Sequence, residues 1–358
     1  MVVSLFNFLN WFDLSVALGT RCLLAFFTAL ILSLVFGNKL INFLHKHQKN
    51  GQPIREDGPK SHLLTKKGTP TMGGFLILGA AIAAMLLFCD LSNVFVWVGV
   101  AVLVVYGAVG FADDYVKVTK QTANAMTAKM KLVLQFLTAL IAILMISHMT
   151  PDNAKYVLNV PYVAWHFNLG CWLYVLFAMI VIAGASNGVN LSDGLDGLAG
   201  GLLSVAFVVF MIAAYLSGTV AAVRGSIMAI PHAAEVAVMC AALIGGCLGF
   251  LWFNAKPAAV FMGDTGSLAL GAFLGVVAVM LKQEILLAIA GGVFVMESVS
   301  VMIQVGWFKY THGKRFFKMA PIHHHFEQLG WAETKVVFRF WLIGIVLAVV
   351  ALAAFCCH

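Results

Sequence analysis

The sequence predicts an all-α integral membrane protein, with about ten transmembrane helices and a polar site at its cytoplasmic face. Hydrophobic residues make up 62% of the 358 residues, and charged residues only 10%. Because a soluble domain of this length cannot bury so much apolar side chain, lipid must be part of the solvent. The apolar runs approach the roughly 20 helical residues that cross a bilayer core. They lack strand-like alternation, which disfavours a β-barrel.

The apolar runs delimit the predicted spans within one polytopic membrane domain, 1–358. These spans are 16–36, 72–90, 94–111, 131–148, 171–185, 198–216, 235–253, 267–281, 285–308 and 337–355. The first is expected to stay as a span, because Arg21 interrupts it and no signal-peptide cleavage pattern follows. The spans 171–185 and 267–281 are short and border polar segments, so a site could lie at their ends.

Basic residues predict the orientation. Most of the 22 lysines and arginines lie in alternate loops, within 39–67, 117–131 and 309–335. Cytoplasmic loops retain such residues, so these loops should face the cytoplasm and both termini should face outward. Membrane lipid is therefore a partner, and nucleic-acid binding is disfavoured because the basic residues form no separate domain. The seven cysteines lack a CxxC pair, which indicates buried hydrophobes and not a zinc site or disulfide framework.

Polar clusters interrupt the apolar chain at five places. They are KKGTPTMGG (66–74), ADDYVK (112–117), NGVNLSDGLDGL (187–198), FNAKPAAVFMGDTGS (253–267) and MAPIHHHFE (319–327). If the topology places all of them on one side, their carboxylates, lysines, amides and imidazoles can converge at one membrane face. Such an arrangement suits a metal-assisted reaction on a phosphorylated substrate. No Walker loop or G-x-G-x-x-G is present, so the reaction must use energy already in the substrate.

The second cluster offers two carboxylates at the cytoplasmic end of a span. Asp113 and Asp114 are neighbours, and adjacent helical residues point about 100° apart, so the two should serve different partners. One could face a metal or phosphate while the other accepts a hydrogen bond. A solvated helix end is the alternative for an isolated pair.

The third cluster has polar residues at every third position, which places neighbouring members on roughly one helical face. These residues are Asn187, Asn190, Asp193 and Asp196. Glycines between them permit close approach of a ligand to the backbone, so we expect a polar pocket at a helix start. A capped turn between two spans is the alternative. The G-x-S-x-G pattern at 184–188 follows a predicted membrane helix and no strand, which argues against a serine hydrolase.

Asp264 lies between glycines and hydroxyls just before the eighth predicted span. A carboxylate there is a candidate magnesium ligand, and the helix end favours phosphate oxygens. An N-cap aspartate is the alternative.

The fifth cluster contains His323, His324 and His325, and consecutive residues cannot all point at one centre. One or two could contact phosphate, whereas zinc lacks suitably spaced partner ligands. Lys66, Lys67, Lys117 and Lys129 could neutralise phosphates or act as topology anchors. Glu297 lies inside a span, where acids are functional candidates, and pairing with Arg21 or Arg339 is equally open.

Together, GTPTMGG, DDYVK, NLSDGLDGL, FMGDTGS and PIHHHFE resemble the signature segments of the polyprenyl-phosphate N-acetylhexosamine-1-phosphate transferases. Their order and PIHHHFE resemble the phospho-N-acetylmuramoyl-pentapeptide branch of that family. The resemblance implies ten transmembrane helices, a possible homodimer, a Mg²⁺ cofactor and a bacterial cytoplasmic membrane. It also implies transfer of phospho-N-acetylmuramoyl-pentapeptide from UDP-MurNAc-pentapeptide to undecaprenyl phosphate, giving lipid I and UMP in peptidoglycan synthesis.

The same resemblance implies roles for single residues. Asp113 would be the base or nucleophile near the lipid phosphate, with Asp114 beside it, and Asp264 would bind magnesium. His323 and His324 would contact phosphate or substrate, with His325 beside them. Uridine would lie near Gly194, Leu195, Asp196 and Phe261, whose ring would stack on uracil. The remaining pocket would contain Lys66, Thr71, Lys117, Lys129, Asn187, Asn190, Asp193, Asn254 and Gln304.

Two other functions remain open. A related transferase that uses UDP-N-acetylglucosamine would share most motifs, although PIHHHFE favours the muramoyl branch. An anionic-solute transporter is the alternative from another class. Transporters place polar groups near the bilayer midplane, whereas the acids here gather at one predicted face.

Overall fold

The computed structural model describes residues 18–48, 51, 68–121, 126–163, 165–219, 230 and 232–356. In chain order its helices are α1 Leu18–His47, α2 Gly74–Phe88, α3 Val94–Lys120, α4 Ala128–Met149, α5 Gly170–Ser192, α6 Leu198–Gly218, α7 Ala233–Asn254, α8 Gly263–Met280, α9 Glu284–Ala290, α10 Gly292–Tyr310, α11 Ile322–Gln328 and α12 Glu333–Cys356. Between α4 and α5, strands β1 (Val157–Asn159) and β2 (His166–Asn168) pair antiparallel, with Val157 opposite Asn168. The chain is therefore an all-α multi-pass membrane protein, and its described residues include one small hairpin.

Each of the ten predicted spans corresponds to apolar helix in the described residues. Within the described ranges, eight helices are long and apolar enough to cross a membrane alone, and α2 is shorter, with 15 residues. The two spans expected to be short are longer than predicted, because α5 continues through Asn187 and Asn190 to Ser192 and α8 already begins at Gly263. Backbone hydrogen bonding thus extends beyond the apolar run that predicted each span.

The predicted span 285–308 is broken into α9 and α10, which are bent by 84° at Gly291. Glycine permits close approach here, since a Cβ on Gly292 would lie 2.8 Å from Leu347 of α12. A Cβ on Gly291 would lie 2.9 Å from the carbonyl oxygen of Leu287. Sharp bends commonly occur at such small residues. The bend separates α10, which leads towards the histidine segment, from α9.

Helix α8 lies at the centre of the fold, and all of its residues are buried. It packs closely on α5, because a Cβ on Gly271 would lie 2.6 Å from the carbonyl oxygen of Ala185. It packs equally closely on α3, where a Cβ on Gly110 would lie 2.1 Å from the carbonyl oxygen of Asp264. Small residues permit such backbone contact between membrane helices. The packing fixes the first turn of α8, which carries Asp264.

The two arginines inside the predicted spans have partners other than Glu297. Arg21 of α1 forms two hydrogen bonds with Glu235 of α7, at 3.0 and 2.7 Å. Arg339 lies over the ring of Trp331, 4.1 Å from its centroid. Of the two alternatives left open for Glu297, pairing with Arg21 or Arg339 is therefore excluded, because both arginines have other partners and Glu297 lies beside His323.

Candidate active site

Two lysines and two aspartates from three helices form a closed arrangement that we call the ion ring: Asp113, Lys117, Lys131 and Asp264. Oδ2 of Asp113 lies 2.7 Å from Nζ of both Lys117 and Lys131. Oδ2 of Asp264 lies 3.1 Å from Nζ of Lys117 and 2.8 Å from Nζ of Lys131. Each carboxylate thus contacts both ammonium groups, and residues 151 positions apart in the chain share one charge cluster.

Asp114 has a different partner, as expected for the neighbour of Asp113 on a helix. It is fully buried, and its carboxylate accepts hydrogen bonds from the backbone N–H groups of Asp264 (3.2 Å) and Thr265 (3.0 Å). The hydroxyl of Thr265 donates a third bond, at 2.8 Å. The first N–H groups of a helix have no partner within the helix, and a carboxylate there is favoured by the helix dipole. Asp114 therefore fixes the start of α8.

Asn190 extends the ion ring into the third cluster. Its side-chain amide donates to Oδ1 of Asp264 at 2.9 Å and to Oγ of Ser267 at 2.8 Å. Asn187, one turn earlier, donates to Gln135 and to the carbonyl of Ala183. The polar residues that were expected at a helix start lie instead at the end of α5 and in the turn after it, because the helix continues to Ser192. Of the two asparagines, only Asn190 contacts the ion ring.

The turn 193–197, which follows α5 at Asp193, is held by three other segments. The backbone N–H of Asp196 donates to Glu333 at 2.9 Å, and its side chain accepts a bond from the N–H of Ala258 at 3.2 Å. Asn254 accepts a bond from the N–H of Gly197 at 2.9 Å. Leu195 is buried. The turn is therefore anchored to the end of α7, to the loop that follows it and to the start of α12.

The three histidines have three different partners, as their adjacency predicts. Nδ1 of His323, which is fully buried, lies 3.1 Å from Oε1 of the equally buried Glu297. A Cβ on Gly194 would lie 2.3 Å from Nε2 of the same ring, so only glycine fits there. Nδ1 of His324 lies 2.7 Å from Glu327, and Nδ1 of His325 accepts a bond from the N–H of Lys318. His323 thus connects α10 and α11 to the turn 193–197.

The first and fourth clusters pair through their backbones. The N–H of Phe261 donates to the carbonyl of Pro70 at 2.9 Å, and the N–H of Gly73 donates to the carbonyl of Phe261 at 2.8 Å. Thr71, between them, is buried and exchanges two backbone bonds with the side chain of Gln48. A Cβ on Gly263, where φ is 73°, would lie 2.5 Å from both Asp114 and Thr71. Contacts therefore link all five polar clusters.

Some of the predicted site residues that the structure describes do not belong to the ion ring, and one is not described. Lys66 lies outside the described residues, and Lys129 is exposed on α4. Asn254 uses its amide for backbone bonds to Gly197 and to Val260. Gln304 accepts bonds from the backbone N–H groups of Phe316 and Phe317. In the structure these last two side chains hold loops in place.

Lys131, which belongs to the ion ring, was not among the lysines that the sequence analysis proposed for phosphate binding. A signal for it exists in the helical period, because Lys131 lies four residues before the buried Gln135 and so shares its face. Lys129 lies on another face of the same helix. The position of each lysine on the helix thus distinguishes Lys131, which faces the protein, from Lys129, which faces solvent.

The donor set of the ion ring fits magnesium. Among the described residues no group of three or more histidine, cysteine, aspartate or glutamate side chains forms a complete metal site. Mg²⁺, however, usually takes one or two carboxylates and fills its other positions with water and substrate phosphates. Asp113 and Asp264 provide two such carboxylates, whose Oδ2 atoms contact the two lysine ammonium groups, so that a cation must displace these groups. The cluster therefore combines carboxylates of the kind that bind magnesium with lysines of the kind that bind phosphate.

Comparisons with known proteins agree with this chemistry. A family model described as Glycosyl transferase family 4 matches residues 96–282, and one described as Phospho-N-acetylmuramoyl-pentapeptide-transferase signature 1 matches residues 66–78. The chain is 49% identical over 335 residues to the phospho-N-acetylmuramoyl-pentapeptide-transferase of Rickettsia akari (strain Hartford), covering 92% of this chain and 91% of that relative. The proteins of the same name from Rickettsia felis and Rickettsia canadensis have the same identity and coverage.

Proposed function

The chain belongs to the phospho-N-acetylmuramoyl-pentapeptide transferase family, and on that premise we propose that it makes lipid I. It transfers phospho-N-acetylmuramoyl-pentapeptide from UDP-MurNAc-pentapeptide to undecaprenyl phosphate and releases UMP, in the membrane stage of peptidoglycan synthesis. The observation that carries this proposal is the identity of 49% over 335 residues to relatives of that name. The contacts that bring the five polar clusters together support it.

The reaction exchanges one pyrophosphate link for another. An oxygen of undecaprenyl phosphate attacks the phosphorus of the sugar-linked phosphate, and the bond from that phosphorus to the bridging oxygen breaks. The electron pair stays on UMP, which leaves. Because one link of the same kind forms as the other breaks, no nucleotide hydrolysis is needed. The absence of a Walker loop from the sequence agrees with this.

The ion ring would bind the reacting phosphates. Lys117 and Lys131 supply two half-buried positive charges for phosphate oxygens, and they stay fixed by Asp113 and Asp264 until substrate enters. Asp113 and Asp264 would hold magnesium, which when bound neutralises the pyrophosphate and stabilises the UMP leaving group. Asp114 and Asn190 orient Asp264 through hydrogen bonds to its backbone and to Oδ1. This preorganisation is what electrostatic catalysis requires.

The turn 193–197 and Phe261 would bind the nucleoside. Phe261 is half-buried, and both its N–H and its carbonyl form backbone hydrogen bonds with the segment 70–73. These bonds fix the backbone of Phe261, which suits a ring that stacks on uracil. The turn offers the backbone of Gly194 and the side chains of Asp193, Leu195 and Asp196. We assign the remaining binding residues as the family resemblance implies, namely Lys66, Thr71, Lys129, Asn187, Asn254, Gln304, His323, His324 and His325.

An apolar groove supports a long lipid as the second substrate. The groove has a volume of about 230 Å³ and lies between α5, α8 and the broken pair α9 and α10. Its lining includes Ile180, Leu274, Leu287 and Phe294. An isoprenoid chain could enter such a groove directly from the bilayer, and its phosphate would remain at the polar end.

The site would lie on the cytoplasmic side of a bacterial inner membrane, with both termini outside. The loops that carry most of the lysines and arginines support this orientation. A UDP-linked donor also requires it, since nucleotide-activated sugars are made in the cytoplasm. A homodimer is part of the same proposal.

Purified protein tests this function. Each UDP-linked donor is supplied with undecaprenyl phosphate and magnesium, and the release of UMP is followed. We expect turnover with UDP-MurNAc-pentapeptide and none with UDP-N-acetylglucosamine. Turnover with UDP-N-acetylglucosamine alone would assign the chain to the related branch. Transport of an anionic solute into liposomes that contain the protein, without release of UMP, would disprove the enzymatic function.

A further inference from the structure

The carboxylates of the ion ring are already occupied by positive charge from the protein itself. Lys117 and Lys131 each lie within 3.1 Å of both Asp113 and Asp264. The second oxygens are engaged as well, because Oδ1 of Asp113 accepts a bond from the N–H of Met126 and Oδ1 of Asp264 accepts one from Asn190. A divalent cation must therefore compete for oxygens that the lysines already hold.

The competition is strong because the charges are close and shielded from water. The side chain of Asp113 is 1% exposed, and those of Lys117 and Lys131 are 15% and 21% exposed. A bound divalent cation repels a neighbouring ammonium group. A charge within about 4–6 Å of an ionisable group changes its binding equilibrium by about 1–3 powers of ten. Metal and ammonium groups therefore cannot share the two carboxylates without rearrangement.

We propose that Lys117 and Lys131 act as exchangeable cations: when a divalent metal binds Asp113 and Asp264, their ammonium groups transfer to phosphate oxygens of the donor. The exchange rests on the proposed function for the identity of the phosphorylated donor. Binding of metal releases the ammonium groups, and binding of phosphate removes them from the carboxylates. Each ligand thus strengthens the binding of the other, as thermodynamic linkage requires.

The surrounding contacts permit the lysines to move while the aspartates stay. Asp264 is held by Asn190, and its backbone N–H is held by Asp114. The lysines are half-buried, and a lysine ammonium is a point charge on a flexible stem that can reach a new partner. Lys131 lies in the first turn of α4, close to the helix start at Ala128.

Replacement of Lys131 by methionine tests the exchange, because methionine keeps much of the apolar length and removes the charge. Mn²⁺ binding is measured by electron paramagnetic resonance without donor substrate. We expect Lys131→Met to bind Mn²⁺ about tenfold more tightly than the unchanged protein, since one competing cation is gone. Its UMP release should nevertheless fall, and added UDP-MurNAc-pentapeptide should tighten Mn²⁺ binding less than in the unchanged protein.

Lys120→Met is the matched control, because Lys120 is exposed at the end of α3 and makes no contact with the ion ring in the described structure. Its Mn²⁺ affinity should not change. Unaltered or weaker Mn²⁺ binding by Lys131→Met would overturn the exchange. Thermal unfolding shows whether Lys131→Met is folded. If it is not, Lys131→Gln is measured in its place, with the same expected increase in Mn²⁺ affinity. Mn²⁺ affinity is read without turnover, so a wrong donor assignment would leave this result intact.

Discussion

The buried pair of Glu297 and His323 joins the broken span to the histidine segment. Both side chains are fully buried, and the nitrogen and oxygen atoms nearest each other are 3.1 Å apart. The opposite ring nitrogen lies against Gly194 in the turn 193–197. A buried polar group costs free energy unless it has a partner, so this pair is expected to have a positioning role. It would hold α11 against the turn proposed to bind the nucleoside.

Glu297→Gln tests this role, because glutamine has nearly the same shape but no charge. We expect UMP release to fall about tenfold to a hundredfold, which corresponds to about 1.5–3 kcal/mol, the magnitude typical of an interaction with a charged partner. The melting midpoint in detergent should change little. Initial rates of UMP release and thermal unfolding measure the two effects.

Ser300→Ala is the control on the same helix. Within the described part of the structure its hydroxyl donates only to the backbone carbonyl of Glu297, so the variant should retain both activity and stability. Full activity of Glu297→Gln would show that the charge of Glu297 does not position His323.

Single residues of the site were predictable where their chemistry is unusual for a membrane chain. Asp113, Asp264 and Asn190 stand beside apolar spans, where polar groups are costly unless they are used. The partner of Glu297 was not predictable, because the sequence offers two arginines as candidate partners and does not distinguish them from His323, 26 positions away. Pairing inside a fold depends on tertiary contacts, and two of the candidate partners were already paired elsewhere.

Among the helices, α3 and α8 make the contact on which the site most depends. Gly110→Ala would place a methyl group 2.1 Å from the carbonyl oxygen of Asp264 and 2.6 Å from the N–H nitrogen of Thr265. Backbone atoms cannot move aside as a flexible side chain can. We expect the two helices to separate, with a stability loss of about 1–3 kcal/mol and a large loss of UMP release. Thermal unfolding and initial rates measure these changes.

Gly79→Ala provides the comparison at the level of the helix. Gly79 is exposed on α2, and a Cβ there would meet nothing within 4 Å. Alanine also favours a helix over glycine by up to about 1 kcal/mol, so this variant should be at least as stable as the unchanged protein. Equal melting midpoints and rates for Gly110→Ala and the unchanged protein would contradict the proposed role of close helix packing.

The helices were predictable from the sequence more fully than their ends and bends. Apolar runs of spanning length identify the helices because lipid requires all backbone bonds to be satisfied within each segment. The same criterion misses residues such as Asn187 and Asn190, which are polar yet remain helical at the end of α5. It also misses the bend at Gly291. Two adjacent glycines within an apolar run permit a bend, but they do not specify whether the helix bends there or in which direction.

At the scale of the whole molecule, five distant polar clusters converge. The ion ring joins α3, α4 and α8, the backbone pairing of 70–73 with Phe261 adds the first cluster, and His323 adds the fifth through Gly194. Convergence was predicted from a shared membrane side, and the order of the motifs indicated the family. The geometry within the cluster, above all the position of Lys131, depends on how the helices pack.

The most direct test of this account is electron–nuclear double resonance at phosphorus, with Mn²⁺ in place of magnesium and UDP-MurNAc-pentapeptide bound to purified protein. The account predicts strong phosphorus coupling, because the pyrophosphate and the cation would share the ion ring. In Asp264→Asn the coupling should be lost or greatly reduced, since one of the two carboxylates is gone. Equal coupling in that variant, or no coupling in the unchanged protein, would contradict the central claim that these residues form the pyrophosphate site.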